Sequence, residues 1–146
     1  MKPCGGTMTE LEIMLPLPPK QLSPNWGTWG GNHAAKMRVV KTYRATVATL
    51  ALATSRCCRP YWTQATAQLT FYWPDRRRRD VHNAEAAFKA GEDGLVDAGI
   101  IKDDCATVLT WEPTRFFYEK HRRDEMRLVV TIRNAAVAMA ARKGSE

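Results

Sequence analysis

The chain has 146 residues, 45% of them hydrophobic and 25% charged, with a formal net charge of +7. That length supports one domain with a sizeable core and is short for two, and the basic balance suits a polyanion, nucleic acid or an anionic membrane surface, without choosing between them. No run approaches the roughly 20 apolar residues that span a bilayer, and the N-terminus lacks the basic, apolar and small-residue order of a secretory signal, so a cytoplasmic protein with no membrane partner is expected.

Residues 1–9 carry no periodic pattern and read as a loose extension. LEIML, residues 11–15, alternates like a strand and runs into PLPPKQLSPNWGTWGGN, whose prolines and glycines sustain neither a helix nor a central strand. A loop of that length with two tryptophans is expected to be ordered at the surface. Between Ala35 and Ser55, Met37, Val40, Val47, Leu50 and Thr54 recur at helical spacing, while Lys36, Arg38, Lys41 and Arg44 form a basic face. Pro60 ends that stretch. QATAQLTFYW then places Ala65, Ala67, Leu69, Phe71 and Trp73 on one face of a strand.

After the loop PDRRRRDVH, a second helix is expected over residues 84–98, with Asn83 as N-cap and Gly99 as its stop. ATVLTWEP and MRLVVTIR read as two further strands, and residues 134–146 as a C-terminal helix or tail. The order predicts an α+β fold: one domain over residues 10–133, a mixed sheet with packed helices. Cys4, Cys57, Cys58 and Cys105 show neither CxxC spacing nor a Cys/His cluster and read as reduced thiols, not zinc ligands.

Asp80, Asp103 and Asp104 are the candidates for metal chemistry. A hard cation such as Mg²⁺, with Mn²⁺ as a possible substitute, takes oxygen ligands, needs only one or two carboxylates, and activates water at a phosphodiester. Arg76, Arg77, Arg78 and Arg79 would hold the polyanion whose phosphate reaches that metal. The same residues also suit plainer roles: an aspartate before a helix caps it, an Asp-Asp pair makes a turn, and an arginine run lines a solvated loop.

RRRRDVHN, followed by Lys89 and then DGLVDAGIIKDD, resembles the central motif of the RusA family of Holliday junction resolvases, many of them carried by phages and prophages. LPLPPKQLSPN resembles that family's N-terminal strand and proline-rich loop, so the resemblance spans roughly residues 10–133. It implies a homodimeric, Mg²⁺-dependent endonuclease that resolves four-way DNA junctions by paired nicks in a bacterial cytoplasm. Asp80 would match the first metal-binding aspartate, Asp104 the distal one, and Lys89 the lysine near the scissile phosphate. Asp103 is a weaker metal candidate. Asn25, Asn83, Lys36, Arg38 and His33 fall where DNA contacts are expected. A branched-DNA-binding module without efficient cleavage is the alternative.

Two departures stand out. The family pattern DxDN reads DVHN here, so His82 occupies the second aspartate's position. Imidazole brings no negative charge and suits softer metals, which favours an exposed or DNA-facing His82 over a ligand. Lys89 also lies six residues after Asn83, where the family pattern has three, an added turn that leaves the lysine on nearly the same face. A helix over 84–98 would be roughly 22 Å long, so Asp80 and Asp104 approach each other only if the chain folds back along it or a second subunit contributes.

Overall fold

The computed structural model describes residues 8–26, 32–119 and 127–135. Alternation in the first strand produces β1, Glu10–Pro16, with Leu11, Ile13 and Leu15 buried and Glu10, Glu12 and Met14 facing out. The loop after it contains a 3-10 turn, Lys20–Leu22, anchored by buried Leu22. α1 spans His33–Thr54 and starts at Asn32, whose side chain accepts from the Ala35 amide. Its buried residues are Tyr43, Val47 and Ala51. Of the expected face, Val47 is buried and Val40 and Leu50 pack against the core, whereas Met37 and Thr54 are exposed; the Tyr43 hydroxyl donates to the Pro16 carbonyl and ties the helix to the end of β1.

β2, Ala65–Trp73, buries every second residue as expected. Two helices follow in place of one, α2 at Val81–Ala87 and α3 at Lys89–Asp97, with Phe88 at the joint. Asp80, not Asn83, is the N-cap, and the helical path therefore begins three residues earlier than its apolar pattern suggests. Gly99, with φ of +71°, ends it in the left-handed conformation that glycine adopts without a Cβ clash.

β3, Leu109–Trp111, and β4, Arg115–Tyr118, both run parallel to β2, and β4 is a strand that the sequence pattern did not reveal. β5, Arg127–Asn134, is antiparallel to both β1 and β2. The path across the sheet is β1-β5-β2-β3, with β4 also on β2. Val130 therefore sits between Ile13 and Leu69, and Leu128 between Leu15 and Phe71, two cross-strand rows that are buried throughout. Val47, Ala51, Phe88, Leu95 and Ala98 join these rows in one core, so the helices cover that face of the sheet. The fold is α+β with one mixed five-stranded sheet, as the element order predicts.

α1 and α3 pack closely enough to need a glycine. A Cβ on Gly94 would lie 2.6 Å from the Arg44 carbonyl oxygen and 3.0 Å from the Val47 Cβ. Helix propensity alone favours alanine there by about 1 kcal/mol, whereas overpacking a fixed backbone costs about 1–3 kcal/mol. Packing dominates, because the obstructing atom is main chain. Gly94→Ala should lower the melting temperature by several degrees in a calorimetric scan, and a rise would mean that the two helices can separate without loss.

Arg44, expected on a basic outer face, instead donates two hydrogen bonds to Asp97, at 2.5 and 2.7 Å, tying α1 to α3. The Arg44 guanidinium holds the Asp97 carboxyl below the usual carboxylate range. A carboxyl lowered on folding adds stability above its unfolded pKa, and that contribution disappears as pH falls through the folded value. Both side chains are 40% or more exposed, so solvent screening limits the pair to below about 1 kcal/mol. Asp97→Asn should cost that little at pH 7, with the gap from wild type closing in acid when urea midpoints are compared across pH.

Of the cysteines, Cys57 and Cys105 are free and exposed. Cys58 is disulfide-bonded, which corrects the expectation of four reduced thiols. Among the described residues no helix is long and apolar enough to cross a membrane. Residues 1–7, 27–31 with Trp29, 120–126 and all but the first two residues of 134–146 lie outside the described residues.

Candidate active site and nucleic-acid face

After Gly99 the chain turns back along α3, bridging Ile101 to Trp62, and returns Asp104 to the start of that helix. There the Lys89 ammonium donates to Asp104 Oδ2 and, at 3.0 Å, to Asp93 Oδ1, with Glu92 Oε2 at 3.9 Å. Lys89, Asp93 and Glu92 meet because positions i, i+3 and i+4 share one helix face. Asp104 arrives only through the tertiary path. Asp103 supports it locally, its Oδ1 accepting from the Asp104 amide at 2.8 Å.

Charge in this cluster is strongly coupled. Burial alone would lower the Lys89 pKa, but hydrogen bonds to Asp104 and Asp93 outweigh it and push the ammonium above its ordinary value. Lys89 is therefore a fixed cation at neutral pH, suited to contacting a phosphate and unsuited to taking up a proton. The same contact holds the Asp104 carboxyl below its usual range. Glu92 moves the other way: burial raises it, against the opposing hydrogen bond from the Trp111 indole. Glu92 and Trp111 have no motif signal. Spacing offers both Glu85 and Asp93, each four residues from Lys89, as pairing partners; Asp93 takes that place, while Glu85 accepts from Thr114.

Asp80 stands apart from this cluster in its bonding. Its Oδ1 accepts from the amides of His82 at 2.8 Å and Asn83 at 3.4 Å, so the carboxylate satisfies the exposed end of α2. His82 has a 94% exposed side chain whose Nδ1 lies 3.8 Å from Glu85 Oε2. Asn83 is half-buried in the first turn of α2. Among the described residues, no three His, Cys, Asp or Glu side chains form a group able to hold a metal ion. The expected set of Asp80, His82, Asp103 and Asp104 thus does not fit a ready-made Mg²⁺ centre: one carboxylate caps a helix and another is paired to an ammonium.

The arginine run is not uniform. Arg76, Arg77 and Arg78 are exposed, and Arg76 lies over the Tyr118 ring at 4.8 Å. Arg79 is committed to the fold: it donates to Asp75 Oδ1 at 2.7 Å and to the Asp75 carbonyl, and stacks 4.2 Å over Trp73. Its rigid planar guanidinium satisfies the loop and the ring at once. At the start of α1, His33 and Arg38 are exposed and Lys36 is half-buried, while Asn25 is exposed on the preceding loop.

A pocket of about 830 Å³ opens beside Lys89, with Glu92 and Trp111 in its wall. Lys89 is one of the residues that line it, its ammonium bonded to Asp93 and Asp104. Comparison with known proteins leaves the chain's family open: no protein-family model matches it, and no curated protein does.

Proposed function

We propose that this chain is a Mg²⁺-dependent endodeoxyribonuclease of the RusA type, a homodimer that recognises four-way DNA junctions and nicks opposed strands during recombination or repair of phage or prophage DNA. The observation that carries this reading is the meeting of Lys89, Asp93 and Asp104 at the start of α3, the first two from the middle of the motif that runs from RRRRDVHN to IIKDD and the third from its C-terminal end. Lys89 would orient the scissile phosphate, and Asp104 with Asp93, both paired to that ammonium in this structure, would hold the ion only once the substrate phosphate has drawn Lys89 from them. Mg²⁺, when bound, supplies an activated water and neutralises charge on the phosphodiester. Arg76, Arg77 and Arg78 track the backbone. A two-fold dimer suits a substrate that presents two equivalent strands.

The bonding of Asp80 favours a second reading, a branched-DNA-binding protein with little or no cleavage, because that carboxylate is engaged by its own helix. Labelled four-way junction and matched linear duplex, incubated with Mg²⁺ or EDTA at one stated salt concentration, separate the two. Paired nicks that need the metal support the nuclease. Tight junction binding without nicks supports the binding protein, and equal affinity for junction and duplex sinks both.

A further inference from the structure

We propose that Arg56, Arg59, Tyr61 and Lys102 form a second contact surface for DNA, which holds the phosphate backbone of the arm that leaves the site of Lys89 and Asp104 past the far end of α3. This deepens the branched-DNA reading above and rests on it. From Ile13 to Pro74 the chain has no aspartate or glutamate, so a cation on this stretch meets a carboxylate only from elsewhere in the fold. Arg44 finds one in Asp97. Arg56, Arg59 and Lys102 are exposed, and among the described residues none of the three forms an ion pair or a side-chain hydrogen bond. Unpaired cations gathered beside a candidate phosphodiester site suit a polyanion.

Two backbone hydrogen bonds bring these residues together. The Tyr61 amide donates to the Gly99 carbonyl at 2.9 Å and the Lys102 amide to the Trp62 carbonyl at 3.0 Å, beside the bridge between Trp62 and Ile101. The stem of Arg59 lies on Gly99, where an added Cβ would fall 3.2 Å from the arginine Cδ, so its methylenes are packed while the charged head stays in solvent. Lys102 stands two residues before Asp104, and Gly99 ten residues after Lys89, roughly 15 Å along the helical path. That length is about four base steps of a duplex arm. The backbone here is also held where a side chain is costly: Arg56, Cys57 and Tyr61 have φ of 55°, 63° and 49°, left-handed conformations that suit glycine. Glycine in place of Arg56 would close the end of α1 with less strain, so the fold itself gives no reason for a long cation there. Tyr61, 55% exposed, adds a hydroxyl that can donate to a phosphate.

The test uses the full chain in EDTA and reads binding to a labelled four-way junction by anisotropy across a series of salt concentrations, beside linear duplex. Arg56→Gly, Arg59→Gln and Lys102→Gln should each weaken binding about three- to tenfold at a fixed moderate salt and lower the slope of log affinity against log salt by about 1. Arg115→Gln removes the same charge from the sheet face opposite the helices, where Arg115 stands beside Thr70, and should shift the slope far less. Arg56→Gly should also keep or raise the melting temperature, which separates a lost contact from lost folding. Equal shifts in all four variants would mean bulk charge, and no shift in the first three would mean that the arm passes elsewhere. Either result overturns this surface and leaves the branched-DNA reading standing. A wild type that binds the junction no tighter than duplex overturns both. Capture of phosphatidylserine vesicles that is lost in Arg59→Gln, with junction affinity unchanged, would make the patch a membrane contact and also overturn the proposal.

Discussion

Asp104→Asn is expected to lower four-way junction cleavage by about 100-fold or more, the scale of losing several kcal/mol of charge stabilisation at a phosphodiester, while junction binding changes little. The substitution is nearly isosteric. It keeps an oxygen that can accept from Lys89 and removes the negative charge, so any loss reports charge and not shape. Lys89 is bound by Asp93 as well, which should keep the end of α3 intact. Gel-resolved nicking and labelled-junction anisotropy on the same preparation separate chemistry from binding. Cleavage that survives unchanged would remove Asp104 from the active site, and with it the central role proposed for this cluster.

Phe88→Ala should destabilise the protein by about 3–5 kcal/mol, the usual cost of emptying a buried aromatic site. Phe88 is 1% exposed and packs edge-on to Trp111, with ring centroids 6.2 Å apart. It also marks the joint between α2 and α3. A Cβ on Gly91 would fall 2.3 Å from the Phe88 ring, so the ring lies directly on the glycine. Removing it frees the joint that aims Lys89 at Asp104, so cleavage should fall even under conditions where the variant stays folded. Urea unfolding of Phe88→Ala and Phe88→Leu checks both points. Leucine should recover part of the stability, and a loss below about 1 kcal/mol for alanine would mean that the joint is held elsewhere.

How much was legible depended on the range of the physical signal. The period of two in β1, β2 and β5 placed Ile13, Leu69 and Phe71 in the core, because each residue's face follows from its neighbours alone. Gly99 as a helix stop was equally local. The N-cap shifted from Asn83 to Asp80 because the apolar pattern starts late: Val81 and His82 are helical yet exposed, so neither lies on the buried face that the pattern follows. β4 escaped notice because RFFY is short and its exposed Phe117 obscures the alternation. Met37 looked like core from helical spacing but is exposed near the start of α1, while Val40, Val47 and Leu50 of the same stripe meet the core.

The candidate site divides along the same line. Lys89 with Asp93, Asp103 and Asp104 as a pair, and the arginine run were all visible as residue types at short spacing. Their partners were not. Arg44 left the basic face for Asp97, Arg79 was drawn onto Trp73, and Asp80 turned to its own helix. Glu92 entered the cluster through burial against Trp111.

The sequence by itself determined the kind of molecule: one α+β domain, strand faces with a buried and an open side, a basic chain, and an acidic and basic motif around a central helix. Those properties arise from composition and from periods of two and 3.6 residues, which neighbouring residues set without knowledge of the rest of the chain. Only the tertiary structure decided that β5 lies between β1 and β2, that the central helix breaks at Phe88, and that Asp104 returns to Lys89. Each of these is a contact between residues far apart in the chain, chosen by which surfaces fill the core and which charges find partners when the whole domain packs.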